Sequence, residues 1–143
     1  MKKLIWAVTF ICLGTALGFW LGRATPTEAA SAEGKVFELR TYTTEDGKLE
    51  DLKARFRNHT TKIFERHGMT NIGYWIPADE PNSKNTLIYI LAHKDRETAK
   101  KSWADFSSDP EWKKVKEASE ANGKIVKGVT SVYMNAADFS KIK

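Results

Sequence analysis

Val36-Phe37-Glu38-Leu39-Arg40-Thr41-Tyr42 alternates two sets of side chains, Phe37, Leu39 and Thr41 against Glu38, Arg40 and Tyr42. Alternation at period two marks a strand whose two faces meet different surroundings, and the turn residues Glu45-Asp46-Gly47 end it. The period then changes. From Lys48 onward Leu49, Leu52, Phe56, Ile63 and Phe64 fall on one stripe of a helix. His67-Gly68 closes that helix, because glycine takes the left-handed conformation of a helix C-terminus without steric cost.

Working outward, Thr70 to Ile76 sets Ile72, Tyr74 and Ile76 opposite Gly73 and Trp75, and a polar loop from Pro77 to Asn85 follows. That predicts a second strand and a long hairpin loop. Leu87 to His93 is an apolar run bounded by turn signals, the pattern of a more central strand. Asp95 is placed to cap a helix that buries Ala99, Trp103 and Phe106 and is interrupted at Ser107-Ser108. Asp109-Pro110-Glu111 restarts a helix with a cap acceptor, a fixed φ and an acid at the positive end. Trp112 and Val115 face inward there, and Asn122-Gly123 stops it. Val129 to Asn135 is the last strand. The order β-α-β-β-α-β predicts an α+β, ferredoxin-like domain over residues 35–136, with helices on one face of an antiparallel sheet.

Placing Phe37, Leu39, Val132 and Met134 under the helices leaves Arg40, Tyr42, Ser131 and Tyr133 on the bare face. Tyr89 and His93, with Leu87 and Leu91, join them there. Two such sheets packed face to face would make a barrel-like dimer around a cavity.

At 143 residues, 41% hydrophobic and 29% charged, the chain suits one domain with a real core. Residues 1–32 form an appendage. Lys2 and Lys3 precede an uncharged, mostly apolar run from Leu4 to Gly22, followed by Arg23 and a Thr/Pro/Glu/Ala/Ser spacer. This is an export signal, long enough to serve also as a membrane anchor. Ala30-Ser31-Ala32 offers a cleavage pattern, whereas Gly14, Gly18 and Gly22 offer a close-packing face for a transmembrane helix. Either way the positive-inside tendency puts the domain outside the cytoplasmic membrane, periplasmic or secreted after cleavage and tethered without it. The single cysteine, Cys12, lies in this leader, so the domain holds no disulfide, thiol nucleophile or cysteine metal site. Basic residues are interleaved with acids, as in Lys113/Lys114/Lys116/Glu117, which describes solvated helix faces and no nucleic-acid footprint.

Phe37-Glu38-Leu39-Arg40-Thr41-Tyr42, Gly47-Lys48-Leu49, His67-Gly68, Gly73-Tyr74-Trp75 and Trp103-x-x-Phe106-x-x-Asp109-Pro110-x-Trp112, in this order and spacing, resemble the NIPSNAP family. The resemblance runs from about Val36 to Tyr133. It implies a dimeric α+β barrel of ferredoxin-like subunits. Animal members are linked to mitochondria and vesicle traffic, roles that a chain with a bacterial-style leader does not inherit. Related barrels include small monooxygenases and haem-degrading enzymes.

Arg40, Tyr42, His67, Tyr89 and Tyr133 are the ligand-binding candidates. Arg40 in mid-strand either pairs with Glu38 or an opposed chain, or holds an anion. The tyrosines either line a pocket or pack across a dimer. His67 and His59 stand slightly over two helical turns apart, roughly 12 Å, too far to share a metal. Phosphate loops, metal motifs, nucleophile elbows and carboxylate dyads are absent from the sequence, so neither cofactor nor metal is expected. The leading expectation is an exported homodimer that binds a small apolar or aromatic ligand between its sheets, with the membrane as a further partner through an uncleaved leader. A cofactor-independent enzyme of monooxygenase or isomerase type, using Arg40, His67 and the tyrosines, is the alternative, and an interaction-only domain is the third reading.

Overall fold

The computed structural model describes residues 34–143. The leader, with Cys12, its glycines and Ala30-Ser31-Ala32, lies outside the described residues. Among the described residues no helix is long and apolar enough to cross a membrane, and no group of three or more His, Cys, Asp or Glu is placed to hold a metal ion.

Strand β1 (Val36–Thr44) leads into helix α1 (Leu49–Arg55), which passes through a π-helical turn at Phe56–Thr60 into α2 (Thr61–Arg66). Then come β2 (Thr70–Trp75), β3 (Thr86–His93), α3 (Arg96–Ser108), α4 (Pro110–Ser119) and β4 (Val126–Asn135). The sheet runs β2-β3-β1-β4 with every neighbour antiparallel, so the α+β order expected from the sequence is the order observed.

The helix ends are local chemistry. Gly68 has φ +75, a conformation other residues adopt at a cost, and it lets Met69 N–H return to Phe64 C=O at 3.0 Å. Asp95 caps α3 by accepting from Thr98 N at 2.6 Å. Asp109 caps α4 through one carboxylate oxygen, which accepts from Glu111 N at 2.7 Å and Trp112 N at 3.1 Å. Its other oxygen accepts from Arg66 Nη2 at 2.8 Å and His67 Nε2 at 2.7 Å. One side chain therefore ties the end of α2 to the start of α4, and the Arg66 and His67 bonds hold its pKa below the usual carboxylate range.

The core lies between helices and sheet. Leu49, Leu52, Phe56, Ile63 and Phe64 from the first helical run meet Leu87, Tyr89 and Leu91 of β3 and Phe106 of α3. This reverses the expected assignment of faces. In register, Glu38, Arg40 and Tyr42 stand opposite Leu91, Tyr89 and Leu87, and opposite Tyr133, Ser131 and Val129 on the other side. That whole set faces the helices. The open face carries Leu39 beside Ile90 and Val132, and Thr41 beside Ile88 and Thr130. The reason is that both faces of β3 are apolar, and its bulkier set, Leu87, Tyr89 and Leu91, fills the space under the helices and carries Glu38 and Arg40 inward with it.

Burying a carboxylate there is tolerated because it is fully bonded. Glu38 is 1% exposed. One of its oxygens accepts from Arg40 Nη1 at 2.7 Å and Ser131 Oγ at 2.6 Å. The other accepts from Trp103 Nε1 at 2.6 Å and His93 Nε2 at 3.0 Å. Burial alone would raise its pKa, but the bonds from His93, Ser131, Trp103 and Arg40 outweigh it and lower the pKa from 4.5 to about 2.

A depressed carboxylate stabilises the fold above its unfolded pKa, and that stability drains away as pH falls through the folded value. Denaturation of the natural protein should therefore show stability declining between pH 4.5 and about 2. Glu38→Gln should flatten that decline and, at neutral pH, cost about 3 kcal/mol because Arg40 is left without its carboxylate. Urea unfolding that is the same for both proteins at pH 7 and pH 3 would contradict this.

Candidate functional site

The five candidate residues do not assemble into one site. Arg40, Tyr42 and Tyr89 are brought together beneath the helices. Tyr42 meets Tyr89 with ring centroids 5.4 Å apart and Phe56 at 5.7 Å. The Arg40 guanidinium lies 4.1 Å from the Trp103 ring centroid and 5.6 Å from that of Tyr42. Of the alternatives for Arg40, the pairing with Glu38 is the one observed. Tyr133 sits at the β4 margin of the same face, with the Arg96 guanidinium 3.3 Å from its ring centroid. His67 belongs to the Asp109 cluster at the helix ends instead, because closing the helix at Gly68 points the chain toward the α4 cap.

The electrostatics of the inward cluster favour fixed donors over proton traffic. Burial raises the Tyr89 pKa, with Tyr42 adding to it, and burial likewise raises that of Tyr133, with Glu38 adding to it. These phenols stay neutral at ordinary pH. Burial disfavours the Arg40 charge, and the hydrogen bond and negative charge of Glu38 outweigh it at ordinary pH, so Arg40 stays cationic. Glu38, near 2, is far from the neutral range where a general acid or base works best. The group therefore locks strands and helix together, and the constellation expected for an enzyme, with His67 beside Arg40 and the tyrosines, is not formed in this chain.

Open space lies on the two flanks of the first helical run. One groove, of about 270 Å³, has Phe56, Tyr74, Trp75 and Leu87 as its apolar walls and Lys53 and Arg57 at its rim. Tyr74 donates to Asn71 Oδ1 and stacks on Tyr89 with centroids 5.3 Å apart. Burial, and then Glu65, raises its pKa, so its hydroxyl remains a donor. Trp75 is 50% exposed, and its ring lies so close over Gly73 that a Cβ there would come within 2.6 Å of it. A second groove, of about 530 Å³, runs between the π-turn and α4.

Sequence reasoning missed Glu38, Trp103 Nε1 and Ser131 as one hydrogen-bonded unit, and it missed Arg55, which is buried in the second groove's wall. The available signal for Arg55 was its place one turn after Leu52 and next to Phe56, on the apolar stripe. For Glu38 the signal reached only as far as its pairing with Arg40, since its other donors come from three other elements.

Among curated proteins there is no match. The fold is that of several solved structures. A NIPSNAP family protein of unknown function from Agrobacterium tumefaciens aligns with a TM-score of 0.66 at 19% identity, over 78% of this chain and 96% of that one. A NIPSNAP-like domain protein from Burkholderia xenovorans gives 0.65 at 17% identity, over 76% and 90%. SnoaB, a cofactor-independent oxygenase from Streptomyces nogalater, gives 0.52 at 12% identity, over 76% and 98%. The NIPSNAP family model matches residues 37–141, nearly the whole of the described domain, and the chain belongs to the NIPSNAP family.

Proposed function

We propose that this chain is an exported, homodimeric binding domain that pairs through the open face of its sheet and takes a small apolar or aromatic molecule beside that interface. The observation that carries this reading is the open face itself. Leu39, Ile88, Ile90 and Val132 lie together on it, Val132 is 54% exposed, and among the described residues no helix covers it. A sheet face of this composition is normally buried, and a second copy supplies a matching surface of the same strand pattern by two-fold symmetry.

Trp75 joins the two halves of the reading, since it stands on the open face opposite Ile88 and also walls the apolar groove. Pairing would deepen the groove at that side chain. Its present volume, about 270 Å³, suits a single-ring or bicyclic molecule. The cations at its rim, Lys53 and Arg57, tolerate a partial negative charge on the occupant. The ligand thus moves from the centre of the paired sheets, where Arg40 and Tyr42 were expected to meet it, to their margin.

Sedimentation equilibrium of the natural protein should give a dimer, and Val132→Glu should give a folded monomer, because each copy would bring a carboxylate into the apolar interface. A monomer before the substitution would end the reading. Trp75→Ala should weaken binding of p-cresol, followed by calorimetry, by about tenfold, the loss of one good aromatic contact. Unchanged binding would remove the groove from consideration. Protease added to spheroplasts should degrade the domain while sparing cytoplasmic proteins, and full protection would overturn export.

A further inference from the structure

Arg55 is 4% exposed and meets one carboxylate, that of Glu120, through one of its nitrogens. Its Nη1 donates to Ser119 Oγ and Glu120 Oε1, both at 3.2 Å, longer than the roughly 2.7–2.9 Å of a strong charge-assisted bond. Its Nε is buried without any partner. A buried guanidinium with a donor left over can take a further acceptor, and burial makes the unmet donor costly.

The groove it walls is cationic on balance. Arg55, Lys114 and the side chains of Asn58, His59, Ser119 and Asn122 supply its polar surface. The one carboxylate there, Asp51, already accepts from Lys48 at 3.0 Å. Ala54, Val115 and Ala118 make the rest of the wall apolar. An independent feature marks the same place. The π-turn Phe56–Thr60 begins at the residue after Arg55 and is held by Thr60 Oγ1 donating to Arg55 C=O at 3.2 Å. It presents Asn58 and His59 to the groove, and such turns recur at functional sites.

We propose that this groove binds a small organic oxyanion, a carboxylate or phosphate with a short apolar body, anchored by Arg55 and Lys114 and bonded by the amides of Asn58 and Asn122. The bound oxygens supply acceptors beyond the single carboxylate of Glu120, and the body rests on Val115 and the two alanines. The site is separate from the apolar groove and stands whether or not that groove is occupied.

Phenyl phosphate titrated into the full-length, 15N-labelled protein should shift the amides of residues 54–59 and 114–122 together. Lys114→Glu alters an exposed side chain, so the melting temperature should hold while binding weakens about tenfold. Dihexanoyl-phosphatidylglycerol that displaces phenyl phosphate, where the phosphatidylcholine analogue does not, would assign the anion to a lipid headgroup; failure of both lipids to displace a bound phenyl phosphate would assign it to a soluble metabolite. Shifts scattered over the surface, or equal affinity in Lys114→Glu, would overturn the site.

Discussion

A carboxylate buried at 1% exposure is the constraint on which the rest of this domain depends. Removing an ion of that size from water costs several kcal/mol even in a relaxed protein, and the cost is offset only if donors arrive from every side. They come from β1, β3, α3 and β4: Arg40, His93, Trp103 and Ser131. Slipping β1 by one residue against its neighbours would turn Glu38 to the open face and its donors away from it. One side chain therefore specifies strand register, the face that receives helices, and the seat of α3.

That choice of face has a consequence for assembly. With Glu38, Arg40 and Tyr42 inward, β1 turns Leu39 and Thr41 to the open face, where their register partners are Ile90 and Ile88. The charged residues that ordinarily blunt an exposed sheet have been used inside. An outer face made this way is poorly suited to water, so the buried ionic network and the proposed pairing of two copies would both follow from a single alternation in β1.

Element order was legible because each element carries its own local signal: the period-two alternation of Val36 to Tyr42, the stripe from Leu49 to Phe64, the caps Asp95 and Asp109, and Gly68 with its φ of +75. The co-facial set Arg40, Tyr42, Tyr89 and His93 was legible too, since period two alone groups them. Which side the helices cover was not. Hydrophobicity voted for Phe37 and Leu39, and the opposing vote came from β3, where Leu87, Tyr89 and Leu91 compete with Ile88 and Ile90 on nearly equal terms. A rule that buries the more apolar set decides correctly only when polar groups lack partners, and Glu38 has its donors from residues distant in the chain. The pairing of Arg40 with Glu38, two residues away on its own strand, was among the readings open from the sequence, whereas the donors from β3, α3 and β4 that complete the network were not, because they are distant in the chain.

The π-turn was invisible for a different reason, and it shapes the wall of the larger groove described above. Steps of four residues, Leu52 to Phe56, and of five, Arg55 to Thr60, both keep side chains on the buried side of a helix, so the apolar pattern reads the same with or without the extra residue. Widening the helix there lets Arg55 and Phe56, adjacent in sequence, both turn inward toward different neighbours: Arg55 toward Glu120 and the Trp112 ring, 5.4 Å away, and Phe56 toward Tyr42, Tyr74 and Tyr89. A regular helix has one inward stripe and one core behind it. This one divides its inward side between a cationic wall and an aromatic wall, and a groove lies along each. An anion and an apolar molecule would thus be met by successive residues of one helix, each held by a different half of the helical layer.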